Sequence, residues 1–99
     1  MDGHPDFEWD DATAAYNLAE HGVAFEAIRR FDWDACLTAA DTRFDYGEPR
    51  FVSVGPIGER LHVAVWTPKA DRQRLISLRK ANAREVRAYL RAKGERHGQ

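Results

Sequence analysis

Cysteine is almost absent from this sequence of 99 residues, because Cys36 is the only one. A single cysteine excludes an internal disulfide bond, which fits a reducing compartment. No apolar run approaches the about 20 residues that cross a bilayer, and no charged-then-apolar leader precedes a cleavage site. We therefore expect a cytoplasmic protein that makes no contact with a membrane.

Several chemical motifs are also missing. The four histidines and Cys36 lack the spacing of zinc ligands, and the chain has neither a glycine-rich phosphate loop nor a G-x-S-x-G elbow. The aspartates, which suit a Mg²⁺ nuclease in type, are scattered over positions where helix caps and turns use aspartate anyway. We expect no metal and no cofactor.

The charges that are present are distributed unevenly. Residues 1–48 carry a net charge of −9 and residues 49–99 carry +8, which together give the net charge of −1. A basic half indicates an anionic partner, and nucleic acid is the commonest one. The alternative is that the two halves neutralise each other within one fold, and the two explanations are compatible.

Helical patterns occupy both ends of the chain. Asp10 and Asp11 can cap a first helix, which His21 and Gly22 should end. Apolar residues at helical spacing predict a short second helix around residues 25–31. Near the C terminus, Asn82 and Glu85 have the spacing of a capping box. The helix that follows should end at Gly94 and bury one face, formed by Val86, Tyr89 and Leu90.

Alternating apolar and polar residues predict strands between these helices. The candidates are a weak strand at 37–42, a strand at 51–54 closed by Gly55-Pro56, and a hairpin of 60–66 and 73–80. We expect the core face of the hairpin to carry Leu61, Val63, Val65, Ile76 and Leu78. The other face would then carry Arg60, His62, Ala64, Trp66, Leu75, Ser77 and Arg79, because a slip of one residue reverses the faces.

These elements predict one α+β domain that spans residues 1–99. It has two N-terminal helices, a three- to four-stranded antiparallel sheet and a C-terminal helix. Residues 1–5 and 95–99 should be loose termini. A cationic sheet face that carries Trp66 suits a phosphate-rich ligand, although an ordinary solvated outer face has the same composition.

Motifs along nearly the whole chain resemble those of the BrnT toxins. They include FEWD at 7–10, Asn17, HGV at 21–23, FEA at 25–27, GE at 47–48, RF at 50–51, Gly58, RL at 60–61, Thr67 and the run 74–81. The resemblance implies a RelE-like ribonuclease fold and a type II toxin–antitoxin pair. It also implies a cognate BrnA-like antitoxin that binds both the toxin and DNA. The sequence departs from the family at Thr13, Glu20, Ala24, His62 and Lys69.

RNA cleavage without a metal needs a base for the 2′-OH, cations for the phosphorane charge and an acid for the leaving oxygen. The predicted register places Arg60 and Arg79 on one face as transition-state stabilisers. Only the family resemblance adds Arg74. Glu48 is the candidate base, with the alternative that it is a loop carboxylate paired with Arg50. The catalytic candidates are therefore Glu48, Arg60, Arg74 and Arg79.

Other residues are candidates for holding RNA. Trp66 can stack on a base or lie partly buried at a sheet edge. His21 is either the family histidine of the site or a cap at the end of its helix. His62 is a possible general acid, with a spectator role as the alternative. The predicted RNA-binding residues are Arg50, Arg72, Lys80, Trp66 and His21.

The sequence thus predicts a metal-independent endoribonuclease toxin that a cognate antitoxin neutralises. It would meet DNA only through that antitoxin, and a toxin–antitoxin heterotetramer is possible. The alternative is a catalytically weak or inactive domain that acts as an antitoxin-binding regulatory partner, because the first helix lacks two basic residues usual in the family.

Overall fold

The computed structural model describes residues 6–97, with side chains up to Gly94. The predicted loose segment 1–5 and the last two residues of the predicted segment 95–99 lie outside the described residues. The elements in chain order are β1 (Phe7–Glu8), α1 (Asp11–His21), a 3₁₀ helix (Phe25–Arg30), β2 (Leu37–Ala40), β3 (Phe51–Ile57), β4 (Arg60–Pro68), β5 (Gln73–Lys80) and α2 (Ala83–His97).

The sheet has five strands in the order β1-β5-β4-β3-β2, and β1 runs parallel to β5. The prediction of a three- to four-stranded antiparallel sheet is therefore wrong. Strand β1 has only two residues, too few to show a period of two. It pairs with β5 through Phe7 opposite Gln73 and Glu8 opposite Arg74, and the Gln73 N–H donates to the Asp6 carbonyl at 2.8 Å.

The prediction of two N-terminal helices is also wrong, because among residues 6–36 only α1 is an α-helix. The second predicted helix is a six-residue 3₁₀ helix whose N-cap, Ala24, makes no side-chain capping bond. The helix α2 continues through Gly94 to His97 instead of ending at Gly94. Leu90, which was expected to be buried on α2, is 59% exposed.

Strand β3 runs through Gly55 and Pro56 to Ile57, where the sequence predicted a turn. A Cβ atom on Gly55 would lie 2.9 Å from both Cys36 Cβ and Phe31 Cζ. Glycine at this position therefore allows close packing within a strand, and it does not mark the end of one.

The register of β4 against β5 differs from the predicted one. Val63 lies opposite Arg79, Ala64 opposite Leu78, and Val65 opposite Ser77. Ala64 and Leu78 are fully buried on the core face, and Val63 is 2% exposed on the other face. The prediction failed because both faces are apolar at the centre of the sheet, so polarity did not identify the buried one.

The register changes between Val65 and Trp66, where β5 has one extra residue, Ile76. Beyond this bulge Leu75 lies opposite Trp66 and Arg74 opposite Thr67. At a bulge, two residues of one strand lie opposite one residue of its neighbour. Each later side chain on the bulged strand therefore lies on the face opposite to the one that strict alternation would give it. Arg74, Ser77 and Arg79 therefore share the face opposite to the core.

The core lies between the sheet and the helices that precede it. Phe25, Ile28 and Phe31 pack against Ala64, Leu75 and Leu78. The buried side chain of Asn17 joins α1 to the outer edge of β5. Its Nδ2 donates to Leu78 O at 2.7 Å and to Val23 O at 3.0 Å, and its Oδ1 accepts from Leu78 N at 3.1 Å. Asn17 thus pairs part of the edge of β5 that β1 is too short to reach.

Replacing Asn17 by alanine should leave the N–H and C=O of Leu78 buried without partners. We expect the free energy of unfolding to fall by about 2–4 kcal/mol, since each buried unpaired group costs about 1–3 kcal/mol. Urea denaturation followed by circular dichroism measures this change. The matched control is Tyr16→Ala on the same helix, because Tyr16 is 67% exposed. Equal stability of the two variants would contradict the role assigned to Asn17.

Candidate active site

Three strands meet at one end of the sheet, where β3 begins and where the β4–β5 hairpin turns. The Thr67 hydroxyl donates to the Pro49 carbonyl at 2.5 Å, and Thr67 lies opposite Arg74. Two strand spacings of about 4.8 Å put the backbones of Pro49 and Arg74 about 10 Å apart. Five charged residues gather here, and we call them the strand-end cluster: Glu8, Glu48, Arg50, Lys69 and Arg74.

Glu48 is the carboxylate at the centre of the strand-end cluster. Lys69 Nζ donates to its Oε1 at 3.1 Å, and Arg50 Nε lies 3.5 Å from its Oε2. The hydrogen bond from Lys69, followed by the charges of Lys69 and Arg50, holds the pKa of Glu48 below its usual value. The Glu48 side chain remains 32% exposed, so a ligand can reach it. Glu48 is thus an accessible, ionised carboxylate between two cations.

The loop between β2 and β3 orients Glu48. The Asp41 N–H donates to Arg50 O at 2.8 Å and closes the base of the loop. The Asp41 carboxylate is 2% exposed and accepts from Arg43 and from the Tyr46 hydroxyl. The hydrogen bond from Arg43 is the main cause that lowers the pKa of Asp41 to about 2. The Arg50 guanidinium lies 4.0 Å from the Tyr46 ring centroid, so aromatic stacking also fixes Arg50.

Arg74 is held from the parallel edge of the sheet. Its Nε and Nη2 donate to Glu8 Oε2 at 3.2 and 2.9 Å. Next to it, Arg72 Nη2 lies 3.8 Å from Asp6 Oδ2. Both acids come from the start of the described chain, so the pairing of β1 with β5 brings the acidic N-terminal half to the basic hairpin.

Arg79 lies farther along the same face of β5. Four steps along the ladder separate it from Arg74, which is about 13 Å. Its Nη1 and Nη2 donate to Glu85 Oε1 and Oε2 at 2.8 and 2.7 Å. This bond raises the pKa of Arg79 and lowers that of Glu85. Glu85 also accepts from Asn82 N, and Asn82 Oδ1 accepts from Glu85 N, which confirms the predicted capping box.

Arg60 and His62 lie apart from these groups. They are at the opposite end of β4 and on its core face, where Arg60 Nη2 donates to Ala81 O at 3.1 Å. His62 is 7% exposed, and its Nδ1 lies 2.9 Å from Arg60 O. The structure therefore divides the four catalytic candidates. Glu48 and Arg74 lie at the same end of the sheet, Arg79 shares the face of Arg74, and Arg60 is at the other end.

The five predicted RNA-binding residues are similarly dispersed. Arg50 belongs to the strand-end cluster and Arg72 is adjacent to it, whereas Lys80 lies opposite His62 at the far end of the hairpin. His21 is the exposed last residue of α1. The Trp66 ring lies 5.0 Å from that of Phe51, and its Nε1 donates to Ser53 Oγ at 2.9 Å. This Trp therefore packs with the core instead of presenting a free face to a base.

Sequence reasoning missed Lys69 and Glu8 as members of the site. Both bond to residues that are distant in the chain, so no local spacing indicated them. Among the side chains that the structure describes, those of residues 6–94, no three of His, Cys, Asp or Glu are grouped so as to hold a metal ion. Across residues 6–97, neither helix is long and apolar enough to cross a membrane.

Residues 9–85 match the family model described as "Ribonuclease toxin, BrnT, of type II toxin-antitoxin system". The chain belongs to the BrnT toxin family. The match includes every residue of the strand-end cluster except Glu8 and extends through Glu85. Ribonuclease activity and an antitoxin partner are thus indicated at the level of the BrnT family. No curated protein matches the chain significantly.

The burial of His62 predicts how the stability of this BrnT domain depends on pH. Burial, followed by the positive charges of Arg60, Lys80 and Arg30, lowers the pKa of His62. As the pH falls, His62 is therefore protonated in the unfolded chain before it is protonated in the folded protein. Stability that is present above about pH 6.5 should be lost as the pH falls below this value. His62→Gln should flatten the decline in the free energy of unfolding between pH 7 and pH 5.

Urea denaturation across this pH range provides the measurement. The control is His21→Gln, which removes an exposed histidine and should keep the decline seen in the unsubstituted protein. Identical slopes for His62→Gln and the unsubstituted protein would show that His62 does not resist protonation.

Proposed function

We propose that this BrnT domain is a metal-independent endoribonuclease that cleaves RNA at the strand-end cluster. Family membership supports the ribonuclease activity. The observation that carries the location is the Glu48 carboxylate, which Lys69 and Arg50 hold at the end of the sheet where Arg74 also lies. A cognate BrnA-like antitoxin binds the toxin and neutralises its activity. The toxin meets DNA only through that antitoxin, and the two proteins assemble as a heterotetramer.

The arrangement provides a base and cations within one site. Glu48 takes the proton of the ribose 2′-OH, and the 2′-oxygen forms a bond to phosphorus. The bond from phosphorus to the 5′-oxygen then breaks, leaving a 2′,3′-cyclic phosphate and a 5′-hydroxyl whose proton comes from water. Arg74 and Lys69 hold the charge that develops on the phosphorane.

Substrate binding also strengthens the base. In the free protein, the hydrogen bond from Lys69 is the largest cause of the lowered pKa of Glu48. A bound phosphate competes for Lys69 and adds a negative charge near Glu48. Both changes raise the pKa of the carboxylate. Glu48 is thus ionised before RNA binds and becomes more basic when RNA is present.

Arg79 extends the phosphate-binding surface along the same face of β5. The two bonds to Glu85 and one to Lys80 O use three of its five N–H groups. The Nε–H and one Nη2–H remain for a phosphate oxygen. Arg79 therefore suits a phosphate neighbouring the scissile one.

One observation favours the alternative of a catalytically weak domain that binds the antitoxin. Each cation near the proposed cleavage site already pairs with a carboxylate, and these cations are Arg50, Lys69, Arg72, Arg74 and Arg79. Expression without an antitoxin separates the two functions. Growth arrest that Glu48→Gln abolishes supports the enzyme, whereas harmless expression of a soluble, folded chain supports the binding partner.

Replacing Glu48 by glutamine removes the base and keeps the shape of the side chain. We expect single-turnover cleavage of an RNA oligonucleotide to slow by about 100-fold or more, which is the usual contribution of a positioned base. The control is Glu20→Gln on the exposed side of α1, which should cleave at the unsubstituted rate. Circular dichroism verifies folding, and a fully active, folded Glu48→Gln protein would exclude Glu48 as the base.

The pH dependence tests the surroundings of Glu48. The pH profile of kcat/KM reports the free enzyme. The midpoint of its low-pH limb should lie below the usual glutamate pKa of 4.5, because Lys69 and Arg50 lower the pKa of Glu48. Lys69→Gln should move this limb upward. In kcat, the limb should lie at higher pH, because bound phosphate raises the pKa of Glu48. A limb that Lys69→Gln does not move would disprove this assignment.

A further inference from the structure

A second group of cations lies at the other end of the sheet. Phe31 forms an isolated bridge with Ile57, and Ile57 lies opposite Arg60. Arg30 precedes Phe31, and Lys80 lies opposite His62, two residues from Arg60 on β4. Backbone pairing therefore gathers three positive side chains at this end, which we call the far-end cluster: Arg30, Arg60 and Lys80.

The far-end cluster differs from the strand-end cluster in its partners. Among the described residues, no carboxylate lies within ion-pair distance of its three cations, whereas six other cations have one. Arg60 uses one Nη2–H to bond Ala81 O, which fixes the guanidinium and leaves its other donors unused. All three residues are exposed.

A neighbouring cleft adds to the positive surface. It has a volume of about 380 Å³ and is lined by Arg29, Arg30, Phe31, Asp32, Pro56 and Gly58. Asp32 is its one acidic lining residue, and Asp32 Oδ1 accepts from the Asp34 N–H. Glu59 is the exposed acidic residue of the adjoining β3–β4 turn. Neither acid pairs with the far-end cluster.

Like charges gathered without counter-charges destabilise a fold, and a bound anion removes that cost. Burial, followed by the positive charges of Arg60, Lys80 and Arg30, lowers the pKa of His62, in keeping with the gathering of these cations by the backbone pairing. An acidic peptide fits less well than RNA, because a tight protein contact also needs apolar anchors and the three cluster residues provide none.

We propose that the far-end cluster is a second phosphate-binding site, which holds the RNA backbone away from the scissile bond. This inference rests on the proposed ribonuclease function. Along β4, nine residues separate the two clusters by about 26 Å. Arg60 and Lys80 lie on the core face of the sheet and Arg74 on the other face, so an RNA that reaches both clusters must also pass around the sheet. Only a substrate several nucleotides long can reach both, so the far-end cluster selects long single strands and contributes nothing to cleavage of a dinucleotide.

The binding test uses a non-cleavable 2′-O-methyl RNA oligonucleotide and fluorescence anisotropy over a series of salt concentrations. In Arg30→Ala/Lys80→Ala, the log–log slope should become less steep by about 0.7 for each phosphate that the protein no longer neutralises, or about 1.4 in total. The matched control is Arg87→Ala/Arg91→Ala, which removes two exposed charges from α2 and should leave the slope unchanged. Arg30→Gln/Lys80→Gln replaces the alanine pair if circular dichroism shows misfolding.

An unchanged salt slope of RNA binding in the Arg30 and Lys80 variant overturns the proposal. The proposal also fails if the variant binds the antitoxin more weakly but keeps this slope. A second assay distinguishes this failure from failure of the proposed function. The variant should cleave a dinucleotide as fast as the unsubstituted protein and lose at least tenfold in kcat/KM on a long RNA. If the unsubstituted protein cleaves neither RNA, the ribonuclease proposal fails, while the salt series still decides whether phosphate binds.

Discussion

The pairing of β4 with β5 is the constraint on which the rest of this structure depends. It buries Ala64 against Leu78 on one face and places Val63 opposite Arg79 on the other. The extra residue at Ile76 then turns Arg74 to the face of Arg79. The same pairing sets Arg74 beside Thr67, whose hydroxyl holds the start of β3 and so brings the Glu48 loop near. A single register thus builds both the core and the candidate site.

The uneven charge of the sequence has two outcomes within this fold. Four ion pairs join the acidic first half to the basic second half: Arg50–Glu48, Lys69–Glu48, Arg72–Asp6 and Arg74–Glu8. Mutual neutralisation therefore explains the cations at the strand-end cluster. It does not explain Arg60 and Lys80 of the basic half or Arg30 of the acidic half, which lack such partners among the described residues. We therefore expect the anionic partner that the composition suggested to contact both the strand-end cluster and the far-end cluster.

Local signals in the sequence predicted local structure well. Asp10 caps α1 by accepting from Thr13 N, Gly22 ends that helix with a φ of 71°, and Asn82 and Glu85 form the capping box. Features that depend on distant contacts were not predictable. No pattern of two residues reveals β1, and no spacing reveals the bond of Lys69 to Glu48. The hairpin register was predicted wrongly because the centre of the sheet is apolar on both faces.

The central claim is that RNA is cleaved at the strand-end cluster. NMR of the ¹⁵N-labelled protein, titrated with a short oligonucleotide whose scissile 2′-OH is replaced by hydrogen, tests it most directly. The account predicts that the largest amide shifts occur at Gly47, Glu48, Thr67, Lys69 and Arg74, with smaller shifts at Arg79. Shifts confined to other parts of the chain, with these amides unmoved at saturation, would contradict it.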